Sequence, residues 1–201
     1  RGRGEGDDFA GGFRLGLEPK GHVPIYLAAL RANMLELAGE LGEGVVMNLF
    51  PAEALGRMLE HVEVGARRAG ASLAEREVVC RHQVVITADK PAAREQFRRH
   101  FAPYYATSVY NKFLAWCGYE EEAATLAAGW AEKNREKTGG ALSDALIDRI
   151  AIIGSVAECQ ERVRALAWGG ITTHVIHSML PDPYSVRAVL ETFSPRIFKL
   201  D

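Results

Sequence analysis

Short β-rich runs alternate with segments of helical period along this chain, and that alternation constrains its fold more than any other feature. Residues 23–29 (VPIYLAA), 45–49 (VVMNL) and 77–87 (EVVCRHQVVIT) are apolar runs, and each reads as a buried strand. Between the first two, Met34, Leu37, Ala38 and Leu41 fall at i, i+3, i+4 and i+7. That spacing predicts a helix from about Ala32 with one apolar stripe, ended by Gly42 and Gly44. Leu55, Met58, Leu59, Val62, Ala66 and Ala69 keep the same period over residues 52–69, and Gly70 closes that helix. Strand, helix, strand, helix, strand is the order of parallel βαβ units, whose sheet must be covered by helices.

The rhythm then breaks. Residues 89–150 carry no strand signal. Asp89 is a good N-cap with Pro91 in the first turn, and the helix it starts carries Phe97 and Phe101 before Pro103 disturbs it. Further helices are predicted over about 107–117 and 120–133. Thr138-Gly139-Gly140 reads as a loop, and Ser143 caps a short helix through Ile150. The alternation resumes with a helix capped by Ser155, a fourth strand over 171–176 (ITTHVI) and a last helix over about 184–193. The expected organisation is a mobile, charged, Gly-rich lead-in over residues 1–14, then one α/β domain over 15–201 with a helical insertion at about 89–150.

Composition removes several function classes. Lys and Arg number 24 against 26 Asp and Glu, a net charge of -2, which does not suit a nucleic-acid binder working through a basic field. The Arg1-Gly2-Arg3-Gly4 start is followed by Glu5, Asp7 and Asp8, so it reads as linker and not as an RNA contact. Cys80, Cys117 and Cys159 match no metal or redox spacing, and no metal site is expected. They read as reduced thiols of a cytoplasmic protein. No apolar run approaches the roughly 20 residues of a membrane span.

The stretch richest in chemistry is the first strand-to-helix turn. A buried strand ends in two alanines, small enough for backbone to approach a ligand, and a helix starts within a few residues. Free N–H groups at a helix start make an anion site, and Arg31 adds a forked cationic donor. The same residues also describe an ordinary tight turn with a surface arginine.

The pattern P-I-Y-L-A-A-L-R-x-x-M-L-x-L-A-G-E-x-x-x-G-V-x-x-N over residues 24–48 resembles the luciferase-like monooxygenase superfamily. Within it, the closer likeness is to oxidoreductases dependent on the deazaflavin coenzyme F420. The resemblance continues through Met58-Leu59-Glu60-His61-Val62 and the 79–87 strand, and resumes at Gly154-Ser155 and Gly170-Ile171-Thr172-Thr173. It implies a (β/α)8 barrel with inserted segments. Four strands and a late helical insertion correspond to strands five to eight, so the chain is expected to be the C-terminal half of such a barrel. Ligands of such barrels sit at the C-terminal ends of the strands.

The resemblance assigns cofactor binding to the loop Ala28, Ala29, Leu30 and Arg31, and a substrate contact to Asn48. Many members carry Gly-Pro where this chain has Arg31-Ala32, so the Arg31 side chain is expected to replace some backbone contacts. Catalytic residues stay unassigned, because the acid and base flanking the reactive ring belong to the first four strands. The implied reaction is hydride transfer between F420 and a small organic substrate, by an enzyme that is a homodimer when complete and silent as this portion alone. FMN is the alternative cofactor, with monooxygenase activity. A non-catalytic, phosphate-binding half-barrel is the alternative of another class.

Other residues take plainer readings. His82 is expected inside the structure and not as a catalyst. His174 and His177, three apart on a strand, should face opposite sides; His177, nearer the strand's C-terminal end, reads equally as a mouth residue or a surface one. Tyr104, Tyr105 and Tyr110 read as packing, Glu120-Glu121-Glu122 as a solvated helix start, and Cys159 as inert core.

Overall fold

The structure is a computed structural model and describes residues 20–200, so the lead-in expected over residues 1–14 lies outside the described residues. Among the described residues one parallel sheet holds β1 (Tyr26–Ala28), β2 (Gly44–Asn48), β3 (Glu77–Ile86), β4 (Ile152–Gly154) and β5 (Thr173–Ser178). Helices α1 (Ala32–Leu41) and α2 (Leu55–Arg68) link the first three strands. From β3 the chain passes through α3 (Lys90–Tyr105), α4 (Ser108–Trp116), α5 (Glu120–Ala131), α6 (Arg135–Gly140) and α7 (Asp144–Ile150) to β4. Helix α8 (Val156–Trp168) leads to β5, and α9 (Pro183–Thr192) follows it.

β3 is the centre of the sheet. β2 pairs with it over residues 77–81, β5 over 79–84 and β4 over 84–86. The Val78 and Val84 carbonyls accept from Thr172 and Met179 beside β5, whereas the Glu77 and Thr87 N–H groups donate to Glu43 and Gly154. Backbone groups alternate edges along a strand, so β4 lies on the β2 edge and continues it where β2 stops. A three-residue strand has no periodicity to read, which is why β4 is not evident in the sequence.

The two sheet faces differ. Val45, Met47, Val78, Cys80 and Val84 join Leu35, Ala38, Met58, Val62, Val163 and Leu166 in a dry core under α1, α2 and α8. The alternate residues Ala28, Val46, Asn48, Arg81, Gln83, Val175 and His177 share the other face. A second core, with Phe97, Tyr105, Leu114, Leu126 and Ile147, unites α3 to α7 and reaches Val85 and Met179 at the C-terminal ends of β3 and β5. The helical stretch thus sits over the end of the sheet where a ligand mouth would open.

Several local expectations need correction. Residues 23–29 are not a buried strand: only Tyr26–Ala28 pairs, with β2 alone, and Val23 and Ile25 are 61% and 63% exposed. Apolar composition does not bury a strand that has a neighbour on one side only. The α1 stripe is likewise rotated, since Leu35, Ala38 and Gly39 are its buried side while Met34, Leu37 and Leu41 are exposed. Glycines set that rotation. A Cβ on Gly39 would lie 2.1 Å from the Val62 carbonyl oxygen, and one on Gly65 would lie 1.8 Å from that of Glu36. Only bare backbone lets α1 and α2 approach so closely. Helix α3 runs through Pro103 to Tyr105. Thr138-Gly139-Gly140 is the end of α6 and not a loop: Asn134 caps that helix, and the Thr138 hydroxyl donates to the Asn134 carbonyl at 2.7 Å.

Candidate functional site

At the end of β1 the Ala29 N–H donates to the Val46 carbonyl at 3.1 Å, and the chain then leaves the sheet. Arg31 is the extended N-cap of α1, with φ -125 and ψ 163, and no side chain caps this helix. Leu35 is the first residue whose N–H finds a helical acceptor, the Arg31 carbonyl at 3.0 Å. The N–H groups of Ala32, Asn33 and Met34 precede the helical ladder and so have no partner within it. No acidic residue occupies the first turn, which leaves the positive end of the helix dipole uncompensated beside the exposed Arg31.

These residues line one cavity of about 600 Å³. Its floor is Ala28, Val46, Asn48 and Arg81 from three adjacent strands, one wall is Ala29 to Met34, and its roof is Val109, Tyr110 and Trp116 of α4. The roof is anchored to α2, because Arg57 lies 3.9 Å from the centre of the Trp116 ring and donates to its carbonyl at 2.7 Å. Tyr105 is fully buried, and its hydroxyl donates to the Leu49 carbonyl at 2.6 Å. Leu49 has φ 53, a left-handed conformation that costs a leucine energy. This strained turn directly follows Asn48 and fixes where β2 ends. Burial first, and the neighbouring Tyr104 second, raise the pKa of the Tyr110 phenol. The Oδ1 of Asn48 is buried without a partner among the described residues.

The expected cofactor residues Ala28, Ala29, Leu30 and Arg31 and the expected substrate residue Asn48 therefore lie in the same cavity. Sequence reading missed Arg81, Val109, Tyr110 and Trp116. A charge in mid-strand, between the apolar runs Val78-Val79-Cys80 and Val84-Val85-Ile86, was the available signal for Arg81. The α4 residues gave none, since their approach depends on tertiary packing.

The histidines separate by face. His82 lies on the helix-covered side, with Nε2 2.9 Å from His174 Nδ1 and the rings stacked at 5.0 Å. Burial first, and the neighbouring His174 second, hold the His82 pKa down at about 3. His177 faces the other way, with Nδ1 2.9 Å from Gln83 Oε1. Cys80 and Cys117 are pushed up to about 12 and Cys159 to about 11 by burial, so none is an activated nucleophile. Among the described residues no three His, Cys, Asp or Glu side chains cluster as a metal site, and no helix is long and apolar enough to cross a membrane.

A parallel sheet with helices on one face and a cavity at the ends of its strands is the arrangement of barrel-type α/β enzymes. The chain belongs to the luciferase-like monooxygenase family, whose model matches residues 3–173. It is similar to the 5,10-methylenetetrahydromethanopterin reductase of Archaeoglobus fulgidus, with 30% identity over 177 residues that cover 85% of this chain and 53% of the relative. The reductase of the same name from Methanolobus tindarius is 27% identical over 161 residues, 79% of this chain and 49% of the relative. Among solved structures, the coenzyme F420 dependent tetrahydromethanopterin reductase from Methanopyrus kandleri superposes with a TM-score of 0.70 at 23% identity, over 88% of this chain and 51% of that one. An F420-dependent secondary alcohol dehydrogenase in complex with an F420-acetone adduct gives 0.64 at 17% identity, over 90% and 51%. The chain spans about half the length of the curated relatives it matches.

Proposed function

We propose that this chain is the C-terminal half of an F420-dependent oxidoreductase and that its β1–α1 turn holds the cofactor's phosphate. The observation that carries the reading is the uncapped start of α1. Ala32, Asn33 and Met34, whose N–H groups have no partner within the helix, line one cavity with Arg31 and the small Ala28 and Ala29. Such a cradle fits a phosphate, which accepts several backbone hydrogen bonds and is stabilised by the helix dipole. When bound, F420 supplies a ring carbon that takes or gives a hydride. Arg31 neutralises the phosphate, and the Asn48 amide is placed to orient substrate. Tyr110 and Trp116 narrow the cavity from above and reduce the water in it.

Exposed apolar groups support the half-barrel part of the proposal. Ile25, Tyr26 of β1, and Met34, Leu37 and Leu41 of α1 are large apolar side chains left exposed, as expected of surfaces that the preceding part of a barrel would cover. The reduced thiols fit a cytoplasmic enzyme.

The experiment is a titration of the 201-residue chain with F420 and, separately, FMN, followed by visible absorbance. Arg31→Ala should weaken F420 binding by about 1.5–3 kcal/mol, the scale of a lost charge-assisted hydrogen bond. The loss should shrink as salt is raised. Equal affinity in the variant and the parent would take Arg31 out of the site, and tighter binding of FMN than of F420 would favour monooxygenase chemistry.

A further inference from the structure

We infer that a single halide-sized anion, chloride in ordinary solution, sits in a break along the edge of β3 and is held by the Gln83 N–H, Arg149 and Arg162. β2 ends with Asn48 opposite Arg81, and β4 begins with Ile152 opposite Val84 on the same edge. Between those levels the edge of β3 has no strand beside it. Register identifies the group left over. Glu77 donates to the Glu43 carbonyl, so the same ladder continued would have Gln83 donate to Leu49. Leu49 is instead left-handed, its carbonyl accepts from the Tyr105 hydroxyl, and no bond from the Gln83 N–H reaches it. Gln83 is 2% exposed, so outside water does not serve this donor. A buried backbone N–H without an acceptor is rare, and one beside a cavity points to an occupant.

A crevice of about 20 Å³ lies in the break, walled in part by Leu49, Phe50, His82, Gln83, Arg149 and Arg162. A single water needs about 10–15 Å³, so the crevice admits one particle of about that size and no organic group. Charge decides between water and an ion. Arg149 and Arg162 form no ion pair among the described residues. One Arg162 nitrogen donates to the Asp148 and Arg149 carbonyls, at 3.3 and 3.1 Å. The acids whose charge reaches Arg162 are engaged elsewhere, Asp148 with Arg94 at 2.7 Å and Glu53 with the Tyr119 hydroxyl. His82 is kept neutral by burial and adds no charge. Burial first, and the charge of Arg149 second, hold the Arg162 pKa below its ordinary value, as expected of two crowded cations. A water would leave that repulsion in place. An anion removes it and also accepts from the Gln83 N–H. So occupied, the crevice ties the turn after β2 to α7 and α8.

The test uses the isotope-labelled 201-residue chain with sodium chloride as the probe, and sodium gluconate holds the ionic strength constant. Chloride should shift the Gln83 backbone amide saturably, and bromide should compete for the same site. Gluconate, too large for the crevice, should leave that signal in place. Arg149→Gln and Arg162→Gln should each weaken chloride about tenfold or more, the scale of a lost charge-assisted hydrogen bond. Arg187→Gln, which changes an exposed arginine of α9, should leave the affinity unchanged. The amide spectrum reports folding, and if Arg162→Gln does not fold, the exposed Arg149 decides through its own variant. A Gln83 amide that ignores chloride would assign the crevice to water and overturn the inference. So would equal responses to chloride and gluconate, or parent affinity in the Arg149→Gln chain.

Discussion

Buried His82, paired with the half-buried His174, makes a claim about stability that can be measured. His82 has its pKa lowered from 6.5 to about 3 by burial and by its neighbour. The unfolded chain therefore binds a proton near pH 6.5 that the folded chain refuses. The neutral form's stabilisation is fully present above that pH and is lost as the pH falls from 6.5 toward 3. Between pH 7 and 5 this single group should remove about 2 kcal/mol of unfolding free energy. His174 and His177 are shifted in the same direction and add to the loss. The carboxylates lowered by their partners, such as Glu36 and Glu158, act at more acidic pH. Urea unfolding at the two pH values checks this, and His82→Phe should flatten the dependence. A slope unchanged by that substitution would show that the pair does not titrate as its burial requires. Arg31 and Asn48 were legible in the sequence because each sits where a strand ends, and strand ends can be read from apolar runs. Tyr110 was not, since its approach depends on the crossing of α4 over the sheet, whereas Arg81 was visible as a charge at mid-strand.

At the scale of elements, the contact of α1 with α2 is the most exacting. Gly65→Ala would place a methyl group 1.8 Å from the Glu36 carbonyl oxygen, so the helices must separate. A cost of about 1–3 kcal/mol or more is expected, read as a fall in the thermal midpoint. Gly56, which has nothing within 4 Å of its Cβ position, is the control, and Gly56→Ala should be neutral or slightly stabilising. Equal effects at the two positions would contradict the close packing. Tyr105→Phe removes the hydrogen bond that holds the left-handed Leu49. It should cost about 1 kcal/mol and also disturb the Asn48 amide signal, because the two residues share one turn. The strand-helix alternation was visible in the sequence because each run is long enough to carry a period. The side of α1 that is buried was not, because two glycines decide it by what they lack.

At the scale of the whole molecule, the chain spans about half the length of the curated relatives it matches, and the proposed reading gives it a cofactor cradle and a substrate-facing sheet. Positioning two reactants at contact distance is a large part of enzymatic rate enhancement. On the proposed reading, one sheet face holds the cofactor tail while its ring lacks an enclosing wall. The isolated chain should therefore bind F420 but transfer hydride far below the roughly 1 per second of an ordinary enzyme. The most direct measurement of the central claim is the backbone amide spectrum of the labelled chain as F420 is added. The cradle requires that the Ala32, Asn33 and Met34 amides and the Arg31 guanidinium shift together and saturate with the absorbance titration. Saturable F420 binding that leaves those signals in place, or no binding at all, would contradict it.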